Sequence, residues 1–313
     1  MESHKISASR STSCGPTVAC DTSWHSVSRY SDFVTDRVLT VIPTFRPDEN
    51  LLELALRVAS PRNPVLVLDD GRPCTSDKVL REVGELDWVG LRRYHTNRGI
   101  ARGLNHGLSV ARLSGFTWLL TFDQDSQVDP SYVEELLAAA NRHAQTGRRI
   151  GALGAEIVND TSGQMEYPLT LTGGFACTEE LIQTGTLWNV DALHRAGGFD
   201  TRLGMDAVDA AACLELRRFG YVLGVASGLT IQHSIGQAQQ LTVGSRRIMI
   251  TGHSPDRRAS MIRNRLLLFP REFGQSPRHA IRTLRRVFVN QSLGLLVENQ
   301  RWAKIKGTLR GIH

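Results

Sequence analysis

The sequence predicts an α/β fold in which helices flank a mostly parallel sheet, followed by a basic helical region near the C-terminal end. Apolar, β-branched segments at 38–44, 65–68 and 117–122 have the length and composition of buried strands. The segments between them place apolar residues at helical spacing, and the connections are short. Strands that alternate with helices in this way form parallel sheets wound by right-handed crossovers.

The order of the elements supports this fold as far as residue 233. Pro61 and Pro64 end the first helix, and Gly220 ends the last one. Asp191 stands at the start of a short helix, where aspartate is a favoured N-cap. In chain order we predict strand 38–44, helix 48–60, strand 65–68, helix 78–84, strand 88–94, helix 100–114, strand 117–122, helix 134–144, strand 150–154, helix 191–196, helix 210–218 and a strand pair at 221–226 and 230–233.

The composition favours a compact protein in a reducing compartment. A chain of 313 residues that is 41% hydrophobic can bury a large core. Its five cysteines are scattered without C-x-x-C spacing, which argues against structural zinc and disulfides and predicts a cytoplasmic location. No segment has the length and apolar character of a membrane span, and the Ser-rich N-terminus lacks the apolar core of a signal peptide.

Positive charge is concentrated near the C-terminal end. Residues 245–313 contain 15 Lys or Arg and three acidic residues, whereas the whole chain has a net charge of +6. Such a basic end favours an anionic partner: a phosphate, a nucleic acid or the inner face of a membrane. Sparse aromatic residues disfavour nucleic acid. Two alternatives remain for the predicted helices at 278–310: peripheral contact with the membrane, or packing on the main domain with a charged outer face.

Two carboxylates follow the strand at 117–122, one residue apart. Residues i and i+2 of an extended chain point to the same side, so Asp123 and Asp125 can face one point. Two like charges at that distance repel, and one takes up a proton unless a cation lies between them. A divalent cation with oxygen ligands, Mg²⁺ or Mn²⁺, meets this need. The alternative is a strand that ends in a solvated turn, since Asp-X-Asp is a common pattern.

A second acidic pair follows an earlier strand. Asp69 and Asp70 come directly after an apolar run, and ligands of parallel sheets bind at the carboxyl ends of the strands. Farther along, Gly99, Gly103 and Gly107 share one face of a predicted helix. These glycines indicate either close packing of the helix on the sheet or phosphate binding, and they do not form a G-x-G-x-x-G fingerprint.

The order of these and further motifs resembles the inverting family 2 glycosyltransferases, which use nucleotide sugars and have the GT-A fold. The resemblance covers about residues 38–236. Within the family, the chain is most similar to the bacterial rhamnosyltransferases, which take L-rhamnose from dTDP-rhamnose in cell-surface polysaccharide synthesis. The matching motifs are Val41-Ile42-Pro43-Thr44-Phe45, Leu68-Asp69-Asp70-Gly71, Asn97-Arg98-Gly99-Ile100-Ala101, Asp123-Gln124-Asp125-Ser126, Gly197-Gly198-Phe199-Asp200, Asp209 before Cys213-Leu214, His233, and the later His253-Ser254-Pro255-Asp256-Arg257-Arg258 and Arg263-Asn264-Arg265.

The resemblance implies roles for the residues of the donor site. Thr44 and Asp69 would line the pocket for the nucleobase and ribose. Asp123 would bind the donor through the metal, Asp125 would be the more direct metal ligand, and His233 would complete the metal or diphosphate site. A histidine alone is more often packed or solvated than a ligand, so its place after a strand is what favours this role.

The resemblance also implies a catalytic base and an anion grip. Asp209 matches the base, and Arg263 falls where basic residues hold the diphosphate or the acceptor. Inversion independently requires a base from a segment other than the metal site, because the base lies across the sugar from the leaving group. The alternative is that Asp206 and Asp209 cap a helix, and Asp206 is the second candidate for the base. Alanines at 210–212 replace acidic or aromatic residues of many relatives, which leaves the acceptor open.

We therefore expect a metal-dependent inverting glycosyltransferase that moves L-rhamnose from dTDP-rhamnose to a saccharide or lipid-linked acceptor. The expected domains are a flexible tail at 1–34, a GT-A catalytic domain at 35–240 and a basic, mainly helical region at 241–313. One rival is a sugar-nucleotide pyrophosphorylase, whose Gly-rich loop after the first strand this chain lacks. Another is a non-catalytic sugar-nucleotide-binding or membrane-associated protein of the same fold, which would have no use for Asp209.

Overall fold

In the residues that the computed structural model of this protein describes, nine strands form one sheet and two further strands form a separate antiparallel pair. The structure describes residues 37–71, 77–159, 169–172, 175–233, 239–243, 246–250, 253–297 and 301–312, so the predicted tail at 1–34 lies outside it. The elements are β1 (Val38–Thr44), α1 (Glu49–Val58), β2 (Val65–Asp69), α2 (Asp77–Gly84), β3 (Val89–Arg93), α3 (Ile100–Leu113), β4 (Trp118–Thr121), α4 (Tyr132–Ala144), β5 (Ile150–Asn159), β6 (Thr170–Thr172), β7 (Phe175–Cys177), β8 (Thr186–Asn189), α5 (Val190–Arg195), α6 (Val208–Arg218), β9 (Val222–His233), β10 (Gln239–Val243), β11 (Arg246–Ile250), α7 (Pro255–Gln275), α8 (Pro277–Val297) and α9 (Arg301–Ile312).

The sheet is parallel where strands and helices alternate along the chain. Its order is β3-β2-β1-β4-β8-β5-β9-β7-β6. The first four strands of this order are parallel to one another, and so are β5 and β9. β8, β7 and β6 run antiparallel to their neighbours. Because β1, β2 and β4 are parallel and adjacent, their carboxyl ends meet at one edge of the sheet. Thr44, Asp69 and the loop that begins after Thr121 lie at this edge.

The core consists of two hydrophobic clusters, one on each face of the sheet. In β1, Leu39 and Val41 belong to the cluster that contains side chains of α3, α5 and α6. Val38 and Ile42 belong to the other cluster, with side chains of α1, α2 and α4. Helices thus cover both faces of the strands, which explains why the strands are continuously apolar rather than alternating.

Two local predictions were wrong. The N-cap of α5 is Asn189, whose side chain accepts a hydrogen bond from the backbone N–H of Ala192 at 2.9 Å, and Asp191 lies within the first turn. Asparagine and aspartate are equally good caps, so local sequence does not decide between the two positions. The predicted strand pair is a single strand, β9, whose pairing with β5 shifts register between Ala155 and Glu156. That irregularity interrupts the apolar pattern and makes one strand resemble two.

In the described residues, three helices follow the β10–β11 pair, where the sequence predicted a basic helical region. α7 begins at Ser254, whose hydroxyl accepts a hydrogen bond from the backbone N–H of Arg257 at 3.3 Å. α8 and α9 both pack on α7. In the described part of the chain, no helix combines the length and the hydropathy that crossing a bilayer requires.

Gly107 allows α3 to approach the sheet closely. Close packing of this helix on the sheet was one of the two roles predicted for its glycines. A Cβ at Gly107 would lie 2.6 Å from Cγ2 of Val41 in β1. At Gly103, four residues earlier, the nearest atom to such a Cβ is Cβ of Pro43 at 3.8 Å, which is an ordinary contact. The two positions therefore form a matched pair, one tightly packed and one with room for a methyl group.

Gly107→Ala is expected to lower the free energy of unfolding by about 1–3 kcal/mol, because the central strand that carries Val41 cannot move away from the added methyl group. Gly103→Ala should instead raise it by about 0.5–1 kcal/mol, since alanine favours the helix and meets no close atom. Urea denaturation of both variants measures the difference. Equal stability of the two variants would contradict the close approach at Gly107.

Candidate active site

The two carboxylates that follow β4 lie at the sheet edge in different environments. Asp123 is half-buried, whereas Asp125 is exposed. Burial, and then the negative charges of Asp125 and Asp209, raise the pKa of Asp123 to about 7, and the positive charge of Arg257 opposes this rise. Asp123, Asp125 and Asp209 therefore concentrate carboxylates at this edge. That is the condition under which oxygen ligands take up a divalent cation.

Gln183, which no sequence motif singled out, contacts two of the predicted site residues. Its backbone N–H donates to Oδ2 of Asp209 at 3.2 Å, and its side-chain Nε2 donates to Oδ1 of Asp123 at 3.1 Å. Gln183 is buried. The candidate base and the first carboxylate of the Asp-X-Asp pattern are thus brought within hydrogen-bond reach of one residue, although they are far apart in sequence.

The segment that carries Gln183 is held against the end of β4. The hydroxyl of Thr121 donates to the carbonyl of Gln183 at 2.6 Å, and the indole N–H of Trp188 donates to that hydroxyl at 2.9 Å. The hydroxyl of Thr184 accepts the backbone N–H of Asp123 at 3.0 Å. Buried networks whose polar groups are paired hold their members in one arrangement. The segment is therefore a fixed wall of the candidate site.

Asp209 lies in the first turn of α6, and both of its carboxylate oxygens accept backbone hydrogen bonds. Oδ1 accepts from Ala210 at 2.8 Å and Oδ2 from Gln183. The N-cap of this helix is Ala207, so Asp209 is not the capping residue, and helix capping does not explain the bond to a distant segment. Burial, and then the charge of Glu180, raise the pKa of Asp209 to about 6. A carboxyl that titrates near neutral pH is suited to accept a proton during a reaction.

Thr44 and Asp69 lie side by side because β1 and β2 pair in register at these residues. The hydroxyl of Thr44 donates to Oε1 of Gln124 at 2.6 Å, and the backbone N–H of Phe45 donates to the same oxygen at 2.8 Å. Asp69 is buried and accepts a hydrogen bond from Nε of Arg93 at 3.1 Å. Gln124, the middle residue of the Asp-X-Asp pattern, therefore ties the end of β1 to the loop after β4. These residues form the side of the site where the nucleoside is predicted to bind.

Two further motifs hold loops around the site. The carboxylate of Asp70 accepts the backbone N–H groups of Arg98 and Gly99 at 2.6 and 2.7 Å. The side chain of Asn105 in α3 donates to the carbonyl of Phe199 and accepts its backbone N–H, both at 2.8 Å. In this structure both motifs therefore connect α3 to neighbouring loops.

Among the described side chains, that of Arg263 makes no hydrogen bond to the other predicted site residues. Arg263 is on the exposed side of α7, where its Nη2 donates to the carbonyl of Arg202 at 3.4 Å. His233 ends β9, and its backbone pairs with Asn159 of β5. The side chain of His233 lies outside the part of the molecule that the structure describes. The roles of both residues stay predictions.

Arg257, part of the motif at 253–258, is a further cation near the predicted site. It lies in the first turn of α7, its Nε donates to Oδ1 of Asp206 at 3.3 Å, and its charge lowers the pKa of Asp123. Asn264 fixes how α7 lies against this region, because its buried side chain donates to the carbonyls of Leu203 and Asp206 at 2.6 and 2.7 Å. The N-terminal end of α7 is thus part of the candidate site.

A second carboxylate-rich group ties α7 and α8 to the segment after β7. Ligand atoms of Glu180, Glu272 and His279 lie within 4.8 Å of one another, a spacing that could hold a metal ion. A guanidinium already occupies the group, because Nη1 of Arg265 donates to Glu180 at 3.2 Å and to Glu272 at 3.1 Å. Burial raises the pKa of Glu180, but the charge of Arg265 and hydrogen bonds outweigh it and hold that pKa well below its usual range. We therefore interpret this group as a structural ion cluster.

Gln183→Met is expected to raise the KM for the donor, or the metal concentration for half-maximal activity, by about 10- to 100-fold, the usual effect of removing a group that orients a ligating carboxylate. Methionine keeps the length of the side chain but cannot donate to Asp123, while the backbone hydrogen bond to Asp209 remains. Steady-state kinetics with varied donor and metal measure the effect. In the control variant Gln275→Met, the lost hydrogen bond is to the carbonyl of Leu214, away from the site. Equal KM values in the two variants would contradict this role of Gln183.

Comparisons with known proteins relate this chain to glycosyltransferases. Residues 40–164 match the Glycosyl transferase family 2 profile. The dTDP-rhamnosyl transferase RfbF of Shigella flexneri is 25% identical over 255 residues, which cover 75% of this chain and 80% of that relative. This similarity extends beyond the region that the family profile matches.

Solved structures show the same fold at low sequence identity. TarS of S. aureus, residues 1–349 in complex with UDP-GlcNAc, has a TM-score of 0.58 at 14% identity over 88% of this chain and 82% of that chain. The mannosyltransferase PcManGT of Pyrobaculum calidifontis, in complex with GDP-Man and Mn²⁺, has a TM-score of 0.51 at 16% identity over 90% of this chain and 83% of that chain. The predicted fold is confirmed. Residues 40–164 therefore match the family 2 glycosyltransferases, within a chain that has the GT-A fold.

Proposed function

We propose that this glycosyltransferase transfers L-rhamnose from dTDP-rhamnose to a hydroxyl of a saccharide or lipid-linked acceptor, with inversion and with Mg²⁺ or Mn²⁺ as cofactor. The observation that carries the mechanism is the convergence of Asp209 and Asp123 on Gln183. The choice of donor rests on the similarity to RfbF, which is named a dTDP-rhamnosyl transferase. That similarity covers most of both chains, which supports its extension to the donor.

Asp209 is the proposed catalytic base. It comes from α6, whereas Asp123 and Asp125 come from the loop after β4, so a sugar between them can present opposite faces to the base and to the diphosphate. The carboxylate of Asp209 accepts the proton of the acceptor hydroxyl as that oxygen bonds to the anomeric carbon and the bond to the diphosphate breaks. The hydrogen bonds from Ala210 and Gln183 fix its orientation for this step.

The donor is proposed to lie along the edge formed by β1, β2 and β4. Thr44 and Asp69 are proposed to line the nucleoside pocket, which their adjacent positions in paired strands support. Asp123, Asp125 and His233 are the proposed residues that hold the cation, and the raised pKa of Asp123 supports a need for positive charge there. When bound, Mg²⁺ or Mn²⁺ neutralises the charge that develops on the leaving diphosphate.

The C-terminal region predicted at 241–313 is proposed to contribute cations to the same site. Arg263 was predicted to grip the diphosphate or the acceptor, and its exposed position next to the carbonyl of Arg202 favours the acceptor. Arg257 is the better candidate for the diphosphate, because its charge acts on Asp123 and it lies in the first turn of α7. The N-terminal end of a long helix favours an anion through its free N–H groups and its dipole.

The kcat/KM is expected to fall with decreasing pH below about pH 6, by about tenfold per pH unit, because only the ionised carboxylate can accept the acceptor proton. Burial and the charge of Glu180 raise the pKa of Asp209 to about 6, so the active, ionised form predominates above that pH and is lost below it. Initial rates between about pH 5 and about pH 8 measure this profile. A rate that does not change across this range would contradict the role of Asp209 as a base.

A screen of donors tests the proposed function most directly. The full chain is incubated with dTDP-rhamnose, UDP-GlcNAc, GDP-mannose or UDP-glucose, with Mg²⁺, Mn²⁺ or EDTA, and release of the nucleoside diphosphate is measured. We expect release from dTDP-rhamnose to exceed release from the other donors and to require the metal. Preference for another sugar nucleotide would overturn the proposed donor and leave the glycosyltransferase activity in place.

A further inference from the structure

Helix α9 lies against α7 on one defined side. A side chain at Gly307 would run into the backbone of Pro255, and a side chain at Gly311 would run into the backbone of Ala259. Lys304, three residues before Gly307, is buried on the same side. Because the glycines let the two backbones approach closely, they decide which side of α9 faces the protein and which side faces away.

The side of α9 that faces away carries apolar and basic side chains, which the protein leaves exposed. Trp302 is 79% exposed, Leu309 52% and Ile312 48%. Lys306 and Arg310 are exposed beside them. Residues four and seven apart share one face of a helix, so Trp302, Lys306 and Leu309 lie together. An exposed tryptophan with aliphatic and basic neighbours is typical of a helix that lies in the interface of a membrane.

Helix α8 adds positive charge to this part of the molecule. Arg282, Arg285 and Arg286 are exposed on α8, together with Ile281 and Val289. The sequences of α8 and α9 contain no acidic residue. Cations are therefore interleaved with exposed apolar side chains, without compensating negative charge on the same helices.

We propose that the outer faces of α8 and α9 bind this protein to the surface of a membrane that contains anionic lipids. Trp302, Leu309 and Ile312 enter the headgroup region, while Lys306 and the exposed arginines of α8 contact lipid phosphates. The apolar side chains favour a bilayer over a nucleic acid, which would be bound by stacking on aromatic rings. Among the exposed residues described in α8 and α9, Trp302 is the single aromatic one.

The helix that carries this surface packs on α7, which also carries Arg257 of the candidate active site. α9 packs on α7 at Pro255 and Ala259, and between them Arg257 donates to the carboxylate of Asp206. Binding through α9 therefore holds the protein at the membrane, where the hydroxyl of a lipid-linked acceptor is presented. In this respect the inference rests on the proposed function, but vesicle binding needs no turnover and is measured separately.

Co-sedimentation of the full chain with lipid vesicles tests the proposal. We expect binding to phosphatidylcholine vesicles that contain about 30% phosphatidylglycerol, weaker binding at high salt, and little binding to phosphatidylcholine alone. The double variant Trp302→Ser/Leu309→Ser is expected to bind the anionic vesicles about tenfold more weakly, because both apolar contacts are lost. Lys306→Glu should weaken the same binding, and donor hydrolysis should be unchanged in both variants.

The matched control is Leu56→Ser/Leu113→Ser, which changes two apolar residues of the catalytic domain that are 60% and 84% exposed. We expect it to bind vesicles as the wild type does. Equal binding of the wild type to neutral and anionic vesicles, or equal loss in the two double variants, would overturn the proposal. Binding to heparin without binding to anionic vesicles would also overturn it, and would assign the surface to a soluble polyanion. If the wild type does not hydrolyse the donor, that result would instead count against the proposed function.

Discussion

Asp209→Asn is expected to lower the rate of sugar transfer by about 10²- to 10⁴-fold, which is the usual contribution of a general base. Asparagine has nearly the same size and its oxygen can still accept the hydrogen bond from Ala210, so the start of α6 should remain folded. It cannot take up the proton of the acceptor hydroxyl. Binding of the nucleoside diphosphate, measured by calorimetry, should be unchanged because Thr44, Asp69 and Asp125 are intact.

Two further variants make this result specific. Asp191 is in the first turn of α5, as Asp209 is in α6, and it is exposed, so Asp191→Asn controls for loss of an aspartate at a helix N-terminus. Asp206→Asn tests the second candidate for the base, whose carboxylate is half-buried and paired with Arg257. Unchanged turnover in Asp209→Asn, with turnover lost in Asp206→Asn, would transfer the role of base to Asp206.

Asp125→Ala is expected to raise the concentration of Mg²⁺ or Mn²⁺ needed for half-maximal activity by about 100-fold or more. A metal ligand contributes several kcal/mol to the binding of the metal, and each 1.4 kcal/mol corresponds to about a tenfold change in affinity. Asp125 is exposed, so the fold should tolerate its loss. The charge of Asp125 is one cause of the raised pKa of Asp123, so the variant should also allow Asp123 to ionise at lower pH. Titration of activity with each metal measures the first effect.

Removal of the metal from the wild type provides the complementary test. EDTA should abolish transfer, and added Mg²⁺ or Mn²⁺ should restore it. Asp129→Ala is the matched control, since Asp129 is an exposed aspartate four residues farther along the same loop. Full activity in EDTA would show that transfer requires no divalent cation, and an equal effect of the two substitutions would show that Asp125 is not a specific ligand.

Sequence patterns predicted the side of the sheet on which the candidate site lies. Thr44, Asp69 and Asp123 each stand at or just after the end of an apolar strand, and the structure makes these strands parallel neighbours. The prediction was possible because strand ends are visible in the local sequence and because parallel strands bring their carboxyl ends to one edge. The cap of α5 and the irregularity in β9 were missed because each depends on which of two similar local choices the surrounding packing favours.

The sequence does not show which arginine of α7 faces the candidate site. Arg257 and Arg263 are both arginines in a basic helix, and nothing in their spacing shows which one faces the carboxylates. The structure decides it through Asn264, whose hydrogen bonds to the carbonyls of Leu203 and Asp206 set the rotation of α7. Arg263, the adjacent residue, consequently points outward.

The sequence alone determined the alternation of strands and helices from β1 to β5, the family resemblance and the acidic residues at the sheet edge, since all of these depend on neighbours along the chain. The tertiary structure decided that Gln183 joins Asp123 to Asp209, and that Trp302 and Leu309 face away from the protein. Hydrogen bonds between distant segments and the rotation of a packed helix depend on partners that come together only on folding, and they leave no local pattern in the sequence.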